Sequence, residues 1–249
     1  REPPSTPQFM QLLERNLPLY LQMVDPSLEG PAEPDQLRIF AALNSLAVIS
    51  VRPILLAISG VNGDPVEGMR SVLKLVVRRI VVGNLGTGNV ERRFGEAAYD
   101  VARLGSWPTA LHRLRDLDPD RGEFVDQLKR RSYNKSTLSF IRKSIIQGTQ
   151  TPDSAGTLPF IRPRSAASWE GFTDEEASYW ISTLGNTVLA SLERRPRGAD
   201  TWSGVREWLL PEAVNGELAT DLRHYNVWDS DAVLQMGSRL AEAAGNVWF

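Results

Sequence analysis

The chain has 249 residues, 42% hydrophobic and 23% charged, the proportions of an ordinary globular protein with length for one large core or two smaller ones. It contains no cysteine, which excludes disulfides, thiolate metal sites and thiol catalysis, and two distant histidines, His112 and His224, argue against a histidine-based zinc site. A net charge of −2 excludes a surface coated with positive charge, and the absence of any long apolar run predicts a cytoplasmic protein with no membrane partner.

The first seven residues hold three prolines and begin on Arg, and they read as a linker within a longer protein. Helical spacing then runs from Pro7 to Val24 through Phe9, Leu12, Leu13, Leu17, Tyr20 and Leu21, with Pro18 as an expected kink or boundary. After a Pro- and Gly-rich loop, Leu37, Phe40, Ala41, Leu43 and Leu46 predict a second helix from about Asp35, and Pro53 starts a third that ends at the Gly60–Gly63 turn. Asp64-Pro65 is a good cap and first-turn pair for a long amphipathic helix through Met69, Val72, Val76 and Ile80, expected at the centre of a bundle. The glycine-rich segment from Gly83 to Asn89 has neither the preceding strand nor the Gly-Lys-Ser/Thr ending of a phosphate loop. It reads as a turn, with Asn89 capping the helix that carries Phe94, Ala97 and Val101. Further helices are predicted over Trp107–Leu117, Gly122–Arg131 and Ser136–Gln147, separated by the Asp116–Gly122 turn. From Thr149 the texture changes to tryptophans, arginines and short elements, which places an expected domain boundary near residue 150, between a helical bundle (1–150) and a smaller domain (151–249).

Charge is unevenly spread. No acidic residue lies between Asp126 and Asp153, while Lys129, Arg130, Arg131, Lys135, Arg142 and Lys143 fall inside that interval. Arg162 and Arg164 follow, and Arg194, Arg195 and Arg197 form a third cluster. On one face such groups would bind phosphate through counterion release; spread over helix faces they would be solvated charges paired with acids elsewhere.

In its second half the chain resembles the carboxy-terminal domain of GmrSD-type modification-dependent restriction proteins, which carry a His-Asn-His-like ββα-metal nuclease. The residues that carry the resemblance are Leu158-Pro-Phe-Ile-Arg-Pro163, Trp169, Leu184-Gly-Asn-Thr-Val-Leu189, and the set Trp228, Val233, Arg239 and Trp248. The segment Val77-Arg-Arg-Ile-Val-Val-Gly83 and the following Phe94 look like a motif of the family's helical region. The resemblance implies a mainly α chain, a multi-helix bundle followed by a small α+β domain of ββα-metal type. It also implies DNA as partner and an NTPase-like amino-terminal domain or partner subunit. The family's general base falls on Phe160 and its preceding acid on Pro159, neither of which can take a proton, and the second asparagine has no counterpart in Glu193–Arg197.

Three functions are therefore expected in competition. The first is a DNA-binding or DNA-sensing region of an anti-phage defence protein with a degenerate nuclease motif. The second is an active endonuclease or nickase using Mg or Mn at an altered site built from Asn186, His224 or Asp229, with no cofactor needed otherwise. The third is a non-enzymatic protein-interaction module. The four tryptophans Trp169, Trp180, Trp228 and Trp248 are expected to be buried in the second domain's core.

Overall fold

A computed structural model describes residues 5–83, 88–153, 155–165, 169–192, 194–214 and 222–249. It is mainly helical and divides into two compact units, Arg1–Pro119 and Asp120–Phe249. The change of texture near residue 150 thus lies inside the second unit. Among the described residues no helix is long and apolar enough to cross a membrane.

The first unit contains α1 (Thr6–Val24), α2 (Pro34–Ser45), α3 (Arg52–Ser59), α4 (Pro65–Val82), α5 (Gly88–Leu104) and α6 (Trp107–His112), closed by a 3₁₀ turn over Arg115–Leu117. α4 starts where the cap pair predicts: the Asp64 carboxylate accepts from Val66 N at 2.9 Å and Glu67 N at 3.2 Å, and Pro65 occupies the first turn, where no N–H is needed. It ends at Gly83, whose φ of 81° suits a residue without Cβ. Nine of its 18 residues are buried, which makes it the interior helix expected, packed on α2, α3 and α6. Gly68 permits that packing, since a Cβ there would stand 2.9 Å from Ile58 Cγ2 and 3.0 Å from the Trp107 ring.

Two expectations for this unit are corrected. Pro18 does not end α1, which runs on through it to Val24; the proline is exposed. Asn89 lies inside α5, where its Oδ1 accepts from Arg92 Nη2 at 2.9 Å, so it is not the cap. The glycine-rich turn expected ahead of it falls at 84–87, outside the described residues. The acidic turn after α6 is held by arginines of α4 and α5: Arg78 pairs with Asp118 at 2.8 Å, Arg93 with Asp116 at 2.7 Å, and Arg79 donates to the Leu117 carbonyl at 2.7 Å.

The second unit contains α7 (Arg121–Arg130), α8 (Lys135–Gln147), α9 (Asp174–Trp180), the short α10 (Trp202–Gly204), which continues through a π turn and a 3₁₀ turn to Glu212, and α11 (Ser230–Trp248). α11 is the organiser. It starts at Asp229, whose carboxylate accepts from Ala232 N at 2.9 Å, and packs against α7, α8, α9 and the 3₁₀ turn Leu184–Asn186. Its buried face carries Gly237, Ala241, Ala244 and Gly245, and this lack of bulk lets neighbouring backbone come close. A Cβ on Gly237 would lie 3.0 Å from the Lys129 carbonyl, and one on Gly185 only 2.0 Å from the Val233 carbonyl. Trp169, Trp228 and Trp248 are buried as expected, and Trp180 is half-buried.

The expected ββα hairpin is not formed as a sheet. Among the described residues there is no strand, only isolated antiparallel bridges at Thr157/Ala190, Phe160/Thr187 and Ala190/Ala213. The physical reason is in the sequence: Pro159 lacks an N–H to give to a ladder, and the 3₁₀ turn at Leu184–Asn186 ends the facing segment.

Candidate functional site

The segments 157–161 and 186–190 run antiparallel and exchange Thr157 N to Ala190 O and its reverse, both at 2.9 Å, Val188 N to Pro159 O at 3.2 Å and Ile161 N to Asn186 O at 2.8 Å. Side chains replace the rest of the ladder. Asn186, 1% exposed, accepts at Oδ1 from Arg162 N (2.9 Å) and Trp228 Nε1 (3.1 Å), and donates from Nδ2 to the carbonyls of Arg162 and Ile181, both at 3.0 Å. Those four bonds are all that an amide side chain can make. From the other side the Arg195 guanidinium donates to the carbonyls of Phe160, Ile161 (2.9 Å) and Ala199. Burial pushes its pKa down, with Asp200 acting in the opposite sense.

This double fastening fixes the backbone of Arg162. Its side chain is largely buried and lies over the Phe172 ring, 5.2 Å from guanidinium carbon to ring centroid. Burial lowers the pKa of Arg162, against the pull of the Asp174 carboxylate. Arg162, Arg164, Trp169, Phe172, Asp174, Ala177, Ser178 and Ile181 line a cleft of about 530 Å³. Arg164 is exposed and reaches Ser182 Oγ at 3.4 Å. Trp169, whose indole donates to the Trp228 carbonyl at 2.8 Å, also borders a second cavity of about 320 Å³ with Glu170, Trp202 and Asn226.

The residues anticipated as catalytic have other surroundings. Asn186 is committed to the backbone, Asp229 caps α11, and His224 is exposed in a loop. Phe160 offers only its carbonyl, to Arg195. Among the described residues no three His, Asp or Glu side chains are placed to hold a metal ion.

The basic clusters are likewise divided. Arg130, Arg131, Lys135, Arg194 and Arg197 are exposed, with Arg131 5.9 Å from the Tyr133 ring centroid, and Lys129 pairs with Asp126. Arg142 and Lys143 point inward. Arg142 is 1% exposed, its Nε and Nη1 have no hydrogen-bond partner, and burial pushes its pKa down to about 10. Burial also lowers the pKa of Lys143, against the pull of Asp153. The stretch free of acids is therefore not one basic face.

Phe172, Asp174, Ala177, Ser178 and Ile181 were not anticipated in the cleft. The signal for them was present: Thr173-Asp-Glu-Glu176 is a capping box, formed here with Glu176 N to Thr173 Oγ1 at 3.2 Å and Thr173 N to Glu176 Oε2 at 2.9 Å, and it starts the helix that supplies most of this wall.

No protein-family model matches the chain, and no curated protein sequence matches it.

Proposed function

We propose that the chain is a DNA-binding or DNA-sensing module of a GmrSD-like defence protein, in which a degenerate nuclease-type region holds nucleic acid without cleaving it. The observation that carries this reading is the cleft in which Arg162 and Arg164 stand beside Phe172 and Trp169. Guanidinium groups next to aromatic surface suit a nucleic-acid backbone and its bases, because one contact neutralises phosphate and the other accepts a stacked ring. The fastening of the Arg162 backbone by Asn186, with Arg195 holding the Ile161 carbonyl before it, supports it further, since a side chain on a fixed backbone loses less freedom on meeting its phosphate. Loss of cleavage follows from the chemistry of the aligned positions: Phe160 and Pro159 have no proton acceptor in their side chains, and the amide of Asn186 is fully engaged. An active enzyme would need Mg or Mn held by residues other than these.

The test is to incubate the full chain with plasmid and with short duplex and single-stranded DNA, at low and physiological salt, with and without Mn. The expected result is a mobility shift that weakens as salt rises, with no nicking, and loss of the shift in Arg162→Ala/Arg164→Ala with circular dichroism unchanged. Nicking in Mn would show that catalysis persists, and no shift under any condition would remove the nucleic-acid reading altogether.

A further inference from the structure

α1 leaves most of its apolar face bare, with the Arg52 guanidinium over the Tyr20 ring at 5.6 Å from its centroid. Phe9, Met10, Leu12, Leu13, Leu17, Tyr20, Leu21 and Val24 are each 38–50% exposed, and only Leu19, Gln22 and Met23 of the helix are buried. The buried three anchor its carboxy-terminal half on α2 and α3, with Gln22 bonded to Leu28 O and Ala32 N, and with Asn44 donating to the Met23 carbonyl at 3.0 Å. No residue of the preceding three turns is buried.

We propose that this face is a self-association surface, covered by α1 of a second copy of the chain running antiparallel to it. Three observations select a second copy. The first is area: at their exposure these eight side chains present on the order of 700 Å² of mostly apolar surface. That is more than monomers usually leave bare and close to the roughly 800 Å² that each partner contributes to a stable interface. The second is symmetry. A two-fold interface must present the same patch to itself, so that if one residue meets another, the reverse contact also forms. The stripe meets that condition about a point between Asn16 and Leu17: Phe9 would face Val24 of the second copy, Leu12 would face Leu21 and Leu13 would face Tyr20, with Leu17 beside the axis. The third is charge. Glu14 and Arg15 are the only charged residues of α1, so the helix carries no net charge from its side chains and self-pairing meets little repulsion. The antiparallel sense keeps Glu14 from meeting its own copy and opposes the two helix dipoles, and it sets each half-anchored helix against the supported end of the other.

This inference does not depend on the nucleic-acid reading and is tested without DNA. The full chain is examined by sedimentation and by light scattering after gel filtration, between about 1 and about 100 μM. The expected mass is twice the 27.7 kDa of one chain. Leu13→Glu/Leu17→Glu places two charges per copy in the interface and should weaken the dimer at least about 100-fold. Both positions are exposed in the single chain, so its helicity should not change. Since the chain has no cysteine, single introduced thiols report the geometry. Under oxidant Leu17→Cys should give a disulfide-linked dimer and Phe9→Cys should not, because in the antiparallel pair the two Phe9 positions are about 22 Å apart along the axis. A monomer throughout the range, a dimer that survives the two glutamates, or ready cross-linking through Phe9→Cys would overturn the proposal. A monomer that co-sediments with lipid vesicles would assign the face to a membrane surface instead.

Discussion

Asn186 and Arg142 are both buried polar residues and have opposite energetic signs. The amide of Asn186 meets two donors and two acceptors, so Asn186→Ala strands Arg162 N, Trp228 Nε1 and two carbonyls away from water. A cost of about 3 kcal/mol is expected, because each buried group left without a partner costs about 1–3 kcal/mol and part of that is recovered by relaxation. Urea denaturation monitored by tryptophan fluorescence would measure it, and a loss below about 0.5 kcal/mol would show that the amide is not structural. Arg142 is as deeply buried, but two of its three guanidinium nitrogens lack partners. Arg142→Met keeps much of its length and removes the desolvated charge, and it should raise stability by about 1–3 kcal/mol. A destabilised Arg142→Met protein would contradict this account of the site.

The starts of α1 to α4, α7 and α8 were legible in the sequence. Asp64-Pro65 starts its helix where expected, and Asp229 starts α11 in the same way, because a carboxylate beside free N–H groups acts locally, whatever packs nearby. Pro18 misled because tertiary anchoring through Leu19, Gln22 and Met23 outweighs one missing hydrogen bond. The hairpin misled because its pattern was read by resemblance, while its pairing depends on Asn186 and Arg195, which lie far along the chain from Phe160. Leu184-Gly-Asn was the most informative motif, and its glycine has a steric meaning: Gly185→Ala would drive a methyl into the Val233 carbonyl and should cost at least about 3 kcal/mol, read as a lowered denaturation midpoint. The capping box of α9 predicts a pH effect. Hydrogen bonds from the Thr173 backbone, and then from the Thr173 and Ser230 hydroxyls, hold the Glu176 carboxyl below its ordinary pKa of 4.5. A depressed carboxylate stabilises the fold above its unfolded pKa and ceases to do so as pH falls through the folded value. Glu176→Gln should therefore lose less melting temperature than the parent between about pH 5 and pH 3, and equal losses would dismiss the linkage.

At the scale of the whole chain, composition was a sound guide to class and a poor guide to location. The sequence left open whether the basic run from Lys129 to Lys143 forms one surface; helical geometry buries Arg142 and Lys143 while Arg130, Arg131 and Lys135 stay in solvent. The cleft instead gathers Arg162 and Arg164 with residues of α9, a grouping that no local window contains. Binding to DNA through this cleft has a measurable signature. If both arginines neutralise phosphates, Arg162→Ala/Arg164→Ala should reduce the slope of log affinity against log salt by about 2. An unchanged slope would locate the contacts on other basic residues.

The tryptophans that build the second unit also make it optically self-reporting. Trp202 and Trp228 lie 5.3 Å apart with their planes inclined by 24°, close enough for their electronic transitions to couple and to give a paired band in circular dichroism. Trp202 of that pair also borders the 320 Å³ cavity together with Trp169, so a molecule entering it perturbs the emission of both Trp202 and Trp169. Occupancy of that cavity can thus be followed in the unlabelled protein, by light alone.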